Sequence, residues 1–309
     1  MHEVFVNGRF VDRGEATISA FDAGVQHGVG LFETMFAGPG GVLHLHEHVD
    51  RLVGSARALG LSTSLRAAAL EEAVRRTAER AGAHGRRRLR LTITGGDLNL
   101  LERGAGNAGH DPTIVISATP ATQYPADMFE RGVGVVVADL RVNPLDPFAG
   151  HKTLSYWGRL RELQNAAGKR AGEALVFQVT NHLAGGCVSN AMLVKAGTLV
   201  TPIARGEEDE VARGDDEASQ RRSGAVMPSP VLPGIVRRWA MDWARGAGID
   251  VQRRLVRIED VLAADELMLT NSSWGVLPVV KVEAEAIGDG VVGPITRKLC
   301  AAWSRLAEQ

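Results

Sequence analysis

The sequence predicts an α+β fold in two domains. With 309 residues, of which 45% are hydrophobic, the chain can bury two cores of ordinary size. Strand-like and helix-like segments follow one another over residues 1–117 without regular alternation, the pattern of an α+β domain. Residues 118–125 carry two prolines among small and polar residues and read as a linker to a larger second domain, 126–309.

The elements follow from spacing. Residues 4–6 and 10–11 read as strands joined at Asn7-Gly8, a pair suited to the tight turn that twisted strands require. Residues 30–36 read as a further strand. A helix begins at His46, because Val49, Leu52, Val53, Ala56 and Leu59 recur on one helical face, and Gly60 can end it. Residues 65–81 are rich in good helix formers and predict a second helix. Strands are predicted at 89–94 and 113–117. Beyond the linker they are predicted at 133–137, 174–179, 191–194, 199–201 and 267–269, with helices at 156–169 and 235–244. Residues 206–225 are almost wholly polar, charged or small and predict an exposed insertion.

Composition narrows the function. A net charge of -1 gives no reason to expect nucleic acid or an anionic membrane as partner. Arg86, Arg87, Arg88 and Arg90 form one basic run, read as solvated or at a strand edge. The two cysteines, Cys187 and Cys300, exclude a disulfide scaffold and suit a reducing compartment. Without a secretory signal or an apolar run of about 20 residues, the expected location is the cytoplasm.

Several motifs lead elsewhere when taken alone. Gly104, Gly106 and Gly109 satisfy G-x-G-x-x-G, but His110-Asp111-Pro112 follows instead of a helix start, so a loop is expected. Gly168-Lys169 lacks the remainder of a P-loop. His44, His46 and His48 alternate, yet no carboxylate set joins them, and no metal site is expected. Cys187 reads as a buried structural cysteine rather than a nucleophile.

Six groups of residues then occur in a fixed order. Val6-Asn7-Gly8, Asp22-Ala23-Gly24 and Gly28-Val29-Gly30-Leu31-Phe32-Glu33-Thr34 open the chain. His48-Val49-Asp50-Arg51-Leu52 follows, with Ser55 and Leu59-Gly60-Leu61. His151-Lys152-Thr153-Leu154-Ser155-Tyr156 comes next, then Val188-Ser189-Asn190 to Gly197 with Thr201-Pro202. Val231-Leu232-Pro233-Gly234-Ile235-Val236-Arg237 and Ala264-Asp265-Glu266 through Thr270-Asn271-Ser272-Ser273 to Pro278-Val279 complete the series. Together they resemble the fold-type IV pyridoxal-phosphate (PLP) enzymes: branched-chain and D-amino-acid aminotransferases and aminodeoxychorismate lyases.

The resemblance implies a D-amino-acid-aminotransferase-like architecture with its site in the interdomain cleft, pyridoxal 5'-phosphate as cofactor, and a homodimer. It implies that Lys152 holds the cofactor as a Schiff base and moves the proton during catalysis. Arg51 would grip the phosphate with its charged fork, and Ile235 and Val236 would offer N–H groups at a helix start. Ser272 and Ser273 would add neutral donors. Tyr156 would meet the cofactor or pack, Phe32 would face substrate or pack, and Arg90 would meet a substrate carboxylate.

One position departs from the pattern. The family places a glutamate five residues before the asparagine at Asn190, where it keeps the pyridine nitrogen protonated. Here that residue is Gly185, and no Asp or Glu occurs from Ala174 to Gly206. A neutral partner, a carboxylate from the acidic run 207–210, or loss of PLP chemistry would each account for this. If the missing carboxylate limits the reaction, Gly185→Glu is expected to strengthen it. The function expected is amino-group transfer between a small amino acid and a 2-oxo acid. The alternatives are an aminodeoxychorismate-type lyase and a non-catalytic or PLP-free binding protein.

Overall fold

A computed structural model of the chain describes residues 3–82, 85–97, 111–209 and 227–308. The glycine-rich motif at 104–109 and most of the 206–225 stretch lie outside the described residues. The chain divides into two compact units, one of Met1–Gln123, His151–Tyr156 and Ala307–Gln309, the other of Tyr124–Gly150 and Trp157–Leu306. The segment that carries Lys152 thus packs with the N-terminal elements, although in sequence it lies well past the linker.

The first unit is a six-stranded sheet covered on one face by two helices. The strands are β1 (Glu3–Val6), β2 (Arg9–Asp12), β3 (Gly30–Gly38), β4 (Gly41–Val42), β5 (Arg87–Thr94) and β6 (Ile114–Pro120), in the order β2-β1-β6-β5-β3-β4. Asn7 and Gly8 both have positive φ, 46° and 88°, as the expected hairpin turn demands. The helices Leu45–Ala58 and Ala67–Arg80 bury Val49, Leu52, Ala56, Leu70 and Val74 against Leu31, Met35, Leu89, Leu91, Ile93 and Ile116. Burial of these apolar faces drives the packing. The first helix starts one residue before His46. The expected linker is shorter than its composition suggested, because Ala118, Thr119 and Pro120 continue β6 opposite Leu89, Arg88 and Arg87.

The second unit is a nine-stranded sheet built from β7 (Val133–Val142), β8 (Glu173–Gln178), β9 (Leu183–Gly186), β10 (Asn190–Lys195), β11 (Thr198–Pro202), β12 (Val251–Arg254), β13 (Glu266–Asn271), β14 (Gly275–Val282) and β15 (Glu285–Ala286). Its core gathers Leu175, Phe177, Leu193, Leu267, Leu269, Leu277 and Val279. Helices Trp157–Gly168 and Ile235–Gly246 match the expected spans closely. The C-terminal helix Pro294–Glu308 was not predicted. Its first turn is capped from far away: the N–H groups of Ile295 and Thr296 donate to Glu266 at 3.0 and 2.7 Å. A cap supplied by a distant strand leaves no local sequence signal. Among the described residues no helix is long and apolar enough to cross a membrane.

Candidate active site

Strand alternation sorts the first unit's side chains onto two faces. Leu31, Glu33 and Met35 point toward the helices, so Phe32 and Thr34 point away. Thr34 pairs with Arg90 and Phe32 with Thr92 in the β3–β5 register. Arg90 therefore shares the helix-free face with Phe32 as its diagonal neighbour. The Lys152 segment lies along the other edge of β3. The Phe32 N–H donates to the Lys152 carbonyl at 3.0 Å, and the Leu154 N–H donates to the Gly30 carbonyl at 2.9 Å, with Leu31 paired to Thr153. That register sets Lys152 opposite Phe32, on the same face.

The side chains converge accordingly. The Lys152 ammonium lies 4.4 Å from the Phe32 ring centre and 5.5 Å from that of Tyr156, and the Arg90 guanidinium lies 3.9 Å from Phe32. Tyr156 meets Phe32 edge-on, with centroids 5.2 Å apart. Two cations thus share one buried aromatic ring, and among the described residues neither Lys152 nor Arg90 has an ion-pair partner. Burial, with repulsion from Arg88, pushes the Arg90 guanidinium below its ordinary pKa. A face of this kind attracts an anion.

Beneath that face runs a buried ion network that sequence reasoning missed. Glu33 accepts from Arg51 Nε at 2.8 Å and Nη2 at 2.6 Å, and from His48 Nδ1 at 2.8 Å. Burial pushes the Glu33 carboxyl up, but Arg51 and His48 outweigh it and hold the pKa down to about 2. Burial drives His48 below its usual range despite Glu33, so the neutral ring donates through Nδ1. His151 Nδ1 and Ser55 Oγ, 2.9 Å apart, tie the Lys152 segment to the same helix. A carboxylate inside an apolar strand, Phe32-Glu33-Thr34, was the available clue. The three histidines meet different carboxylates: His44 lies beside Glu47, His46 between Asp50 and Glu71, and His48 on Glu33.

In the second unit the helix start forms as expected. Gly234 is the N-cap of Ile235–Gly246, and the Arg238 N–H makes the first helical bond, to the Gly234 carbonyl at 3.0 Å. The N–H groups of Ile235, Val236 and Arg237 precede it, as at any helix start. Asn190 fixes the approach: its Nδ2 donates to the Leu232 carbonyl at 2.8 Å, and a Cβ at Gly234 would fall 1.8 Å from its Oδ1. Glycine is the one residue that fits. Nearby on β13, Asn271 Oδ1 accepts from the N–H groups of Ser273 and Trp274 at 2.9 and 3.0 Å, which shapes the partly exposed turn carrying Ser272 and Ser273.

Gly185 is not a glutamate site that has merely lost its side chain. Its φ is +138°, and an added Cβ would lie 2.7 Å from the Ser189 carbonyl oxygen. The expected gain from Gly185→Glu is therefore overturned on steric grounds. The acidic run does not supply a substitute through its first members. Glu207 is held by Arg237, and Glu208 accepts from the N–H groups of Gly206 and Ser229. Glu173, fully buried on β8, accepts from the N–H groups of Cys187 and Val188 and from Ser189 Oγ at 3.1–3.3 Å, so it braces the loop after Gly186. Burial raises its pKa and pushes the Cys187 thiol up to about 12, which disqualifies that cysteine as a neutral-pH nucleophile.

Comparison with known proteins adds independent support. The family model described as amino-transferase class IV matches residues 30–282. A putative branched-chain-amino-acid aminotransferase of Methanocaldococcus jannaschii is 29% identical, with 96% of this chain and 93% of that protein covered. The D-alanine aminotransferase of Staphylococcus haemolyticus is 26% identical over 100% of this chain and 99% of its own length. Among solved structures, the Escherichia coli branched-chain amino acid aminotransferase shares the fold with a TM-score of 0.83 at 24% identity, covering 98% of this chain and 94% of that one. The 4-amino-4-deoxychorismate lyase of Pseudomonas aeruginosa aligns with a TM-score of 0.77 at 25% identity, covering 99% and 100%. With the match spanning most of the sequence, the chain belongs to the class IV amino-transferase family.

Proposed function

We propose that this protein is a PLP-dependent aminotransferase that moves an amino group between a small amino acid and a 2-oxo acid, with Lys152 as the catalytic amine. The observation that carries the reading is the placement of the Lys152 ammonium over Phe32, on a fixed backbone and without an ion-pair partner among the described residues.

The residues suit PLP at its aldehyde and at its phosphate. A phosphate dianion needs donors, which the Ile235 and Val236 N–H groups and the Ser272 and Ser273 turn can provide; Arg51, whose Nε and Nη2 already donate to Glu33, would add positive charge rather than its fork. Position 185 offers the pyridine nitrogen no carboxylate, and a ring left with a neutral partner there would be a weaker electron sink than a carboxylate-paired one. When bound, PLP supplies the aldehyde that takes up the amino group and the ring that accepts electrons.

The chain's own residues would do the rest. Hydrogen bonds at the Lys152 carbonyl and at Leu154 hold the backbone, which leaves the Lys152 amine free to carry a proton to and from the substrate carbon. Arg90 would orient a substrate carboxylate. Phe32 and Tyr156 would shield the amine from water, and Tyr156 could also meet the cofactor. Glu33 keeps the Arg51 guanidinium from turning.

The test is the visible absorption spectrum of the protein with PLP before and after borohydride, alongside amino transfer to 2-oxoglutarate. Lys152→Ala is expected to abolish the borohydride-stable attachment and to lower transfer by at least about 10²–10⁴-fold. An attachment that persists without Lys152 removes the mechanism. A lyase reading is supported by the likeness to the Pseudomonas lyase. Pyruvate release from aminodeoxychorismate, without amino transfer, would select it. Absence of any cofactor absorbance would select the PLP-free alternative.

A further inference from the structure

Arg237 has no part in the chemistry above, yet its side chain is 1% exposed and carries a charge at the third position of the Ile235–Gly246 helix. A cation there faces the positive end of the helix dipole, where cations are unfavourable. The fold offsets this with a dense set of partners. Nε donates to Thr201 Oγ1 at 2.9 Å, and Nη1 donates to Glu207 Oε1 at 2.8 Å. Nη2 donates to Glu207 Oε2 and to the Pro202 carbonyl, both at 2.8 Å. Arg253 stands 3.8 Å from the same carboxylate.

Stability alone does not explain such an arrangement. A buried ion pair loses much of its Coulombic gain to desolvation, and apolar residues of similar volume often do as well or better. A planar fork with four directed bonds does something apolar packing does not, which is to fix the direction of the helix turn that carries it. That turn is clamped from both sides. Arg237 ties it to the end of β11 and to Glu207, while Asn190 pins Leu232 and presses on Gly234 just before it.

We propose that Arg237 is a positioning residue for the cofactor phosphate. Its locked guanidinium sets the orientation of the Ile235 and Val236 N–H groups, and Glu207 cancels its charge so that the backbone donors carry the recognition. This rests on the reading of the helix start as the phosphate site.

The experiment titrates the PLP-free apo-protein with PLP and with pyridoxal, which has the same aldehyde but no phosphate. Binding is followed by the absorbance of the Lys152 attachment. The wild-type protein is expected to prefer PLP strongly. Arg237→Lys keeps the charge but loses the fork, and is expected to narrow that preference about tenfold while pyridoxal affinity stays within about twofold. An unchanged preference in a folded variant, or a parallel loss for both ligands, overturns the inference. If Arg237→Lys does not fold, Thr201→Val removes the Nε acceptor alone and is expected to narrow the preference about threefold, with no change counting against the inference. A wild-type protein that binds PLP no better than pyridoxal sinks the phosphate-site reading itself, a result separate from failure of the variant.

Discussion

The two regions that carry the proposed chemistry are built from different materials. Around Lys152 the structure relies on side chains and charge: two cations share the Phe32 ring, and behind them Glu33 is clasped by Arg51 and His48. Around Gly234 it relies on backbone, with a helix start held by an asparagine amide and a glycine that admits no side chain. Ion networks respond to pH because their energy depends on protonation. Close backbone approaches respond to volume, because van der Waals repulsion is steep at any pH. The first region should therefore fail in acid, and the second should fail on gaining a methyl group.

The largest stability effect expected is at Glu33. Glu33→Gln leaves Arg51 without its buried counter-charge and should cost about 3–5 kcal/mol, read from denaturant unfolding. The pH dependence has a definite sign. With its pKa held down to about 2 from 4.5, the carboxylate contributes stability that is complete above 4.5 and lost as pH falls through about 2. Buried, neutral His48 acts in the same direction from about 6.5 downward, since it is charged more easily when unfolded. Melting temperature against pH should fall less steeply below 4.5 in Glu33→Gln than in the wild type. Equal slopes would deny the network its place in the first region.

Next in size is Gly185→Glu. Forcing a side chain onto φ +138° against the Ser189 carbonyl should cost at least about 1–3 kcal/mol, with a loss of unfolding midpoint that is the same at pH 5 and pH 8. A variant that folds normally and transfers amino groups faster would show that the backbone beside Asn190, which also holds the Gly234 turn, tolerates volume after all. The smallest effect expected is at Arg90. Arg90→Lys keeps a cation near Phe32 but loses the planar fork, so KM for a carboxylate substrate should rise a few-fold while kcat changes little. A fall in kcat at constant KM would instead place Arg90 in the chemistry with Lys152.

Particular elements show what was legible. The hairpin at Asn7-Gly8, the helix near His46 and the helix opening at Ile235 were readable because turn residues and apolar spacing act locally. The long helix from Pro294 was not, since its cap comes from Glu266 on a distant strand. The linker was overextended because Pro120 is tolerated as the last residue of β6, beyond its pairing with β1, where composition suggests a break. Glu207 was a plausible substitute carboxylate until the fold committed it to Arg237.

The sequence by itself determined the order of the elements, the family and the lysine at the centre of the proposal, because turns, amphipathic faces and motifs are written along the chain. Only the tertiary structure decided what stands beside Lys152, why position 185 takes no glutamate and which acid holds which arginine. Those outcomes depend on strand register, on φ and on distances between residues far apart in sequence. Burial then magnifies them, since a charge or a methyl group that water would forgive has to be matched in a packed interior.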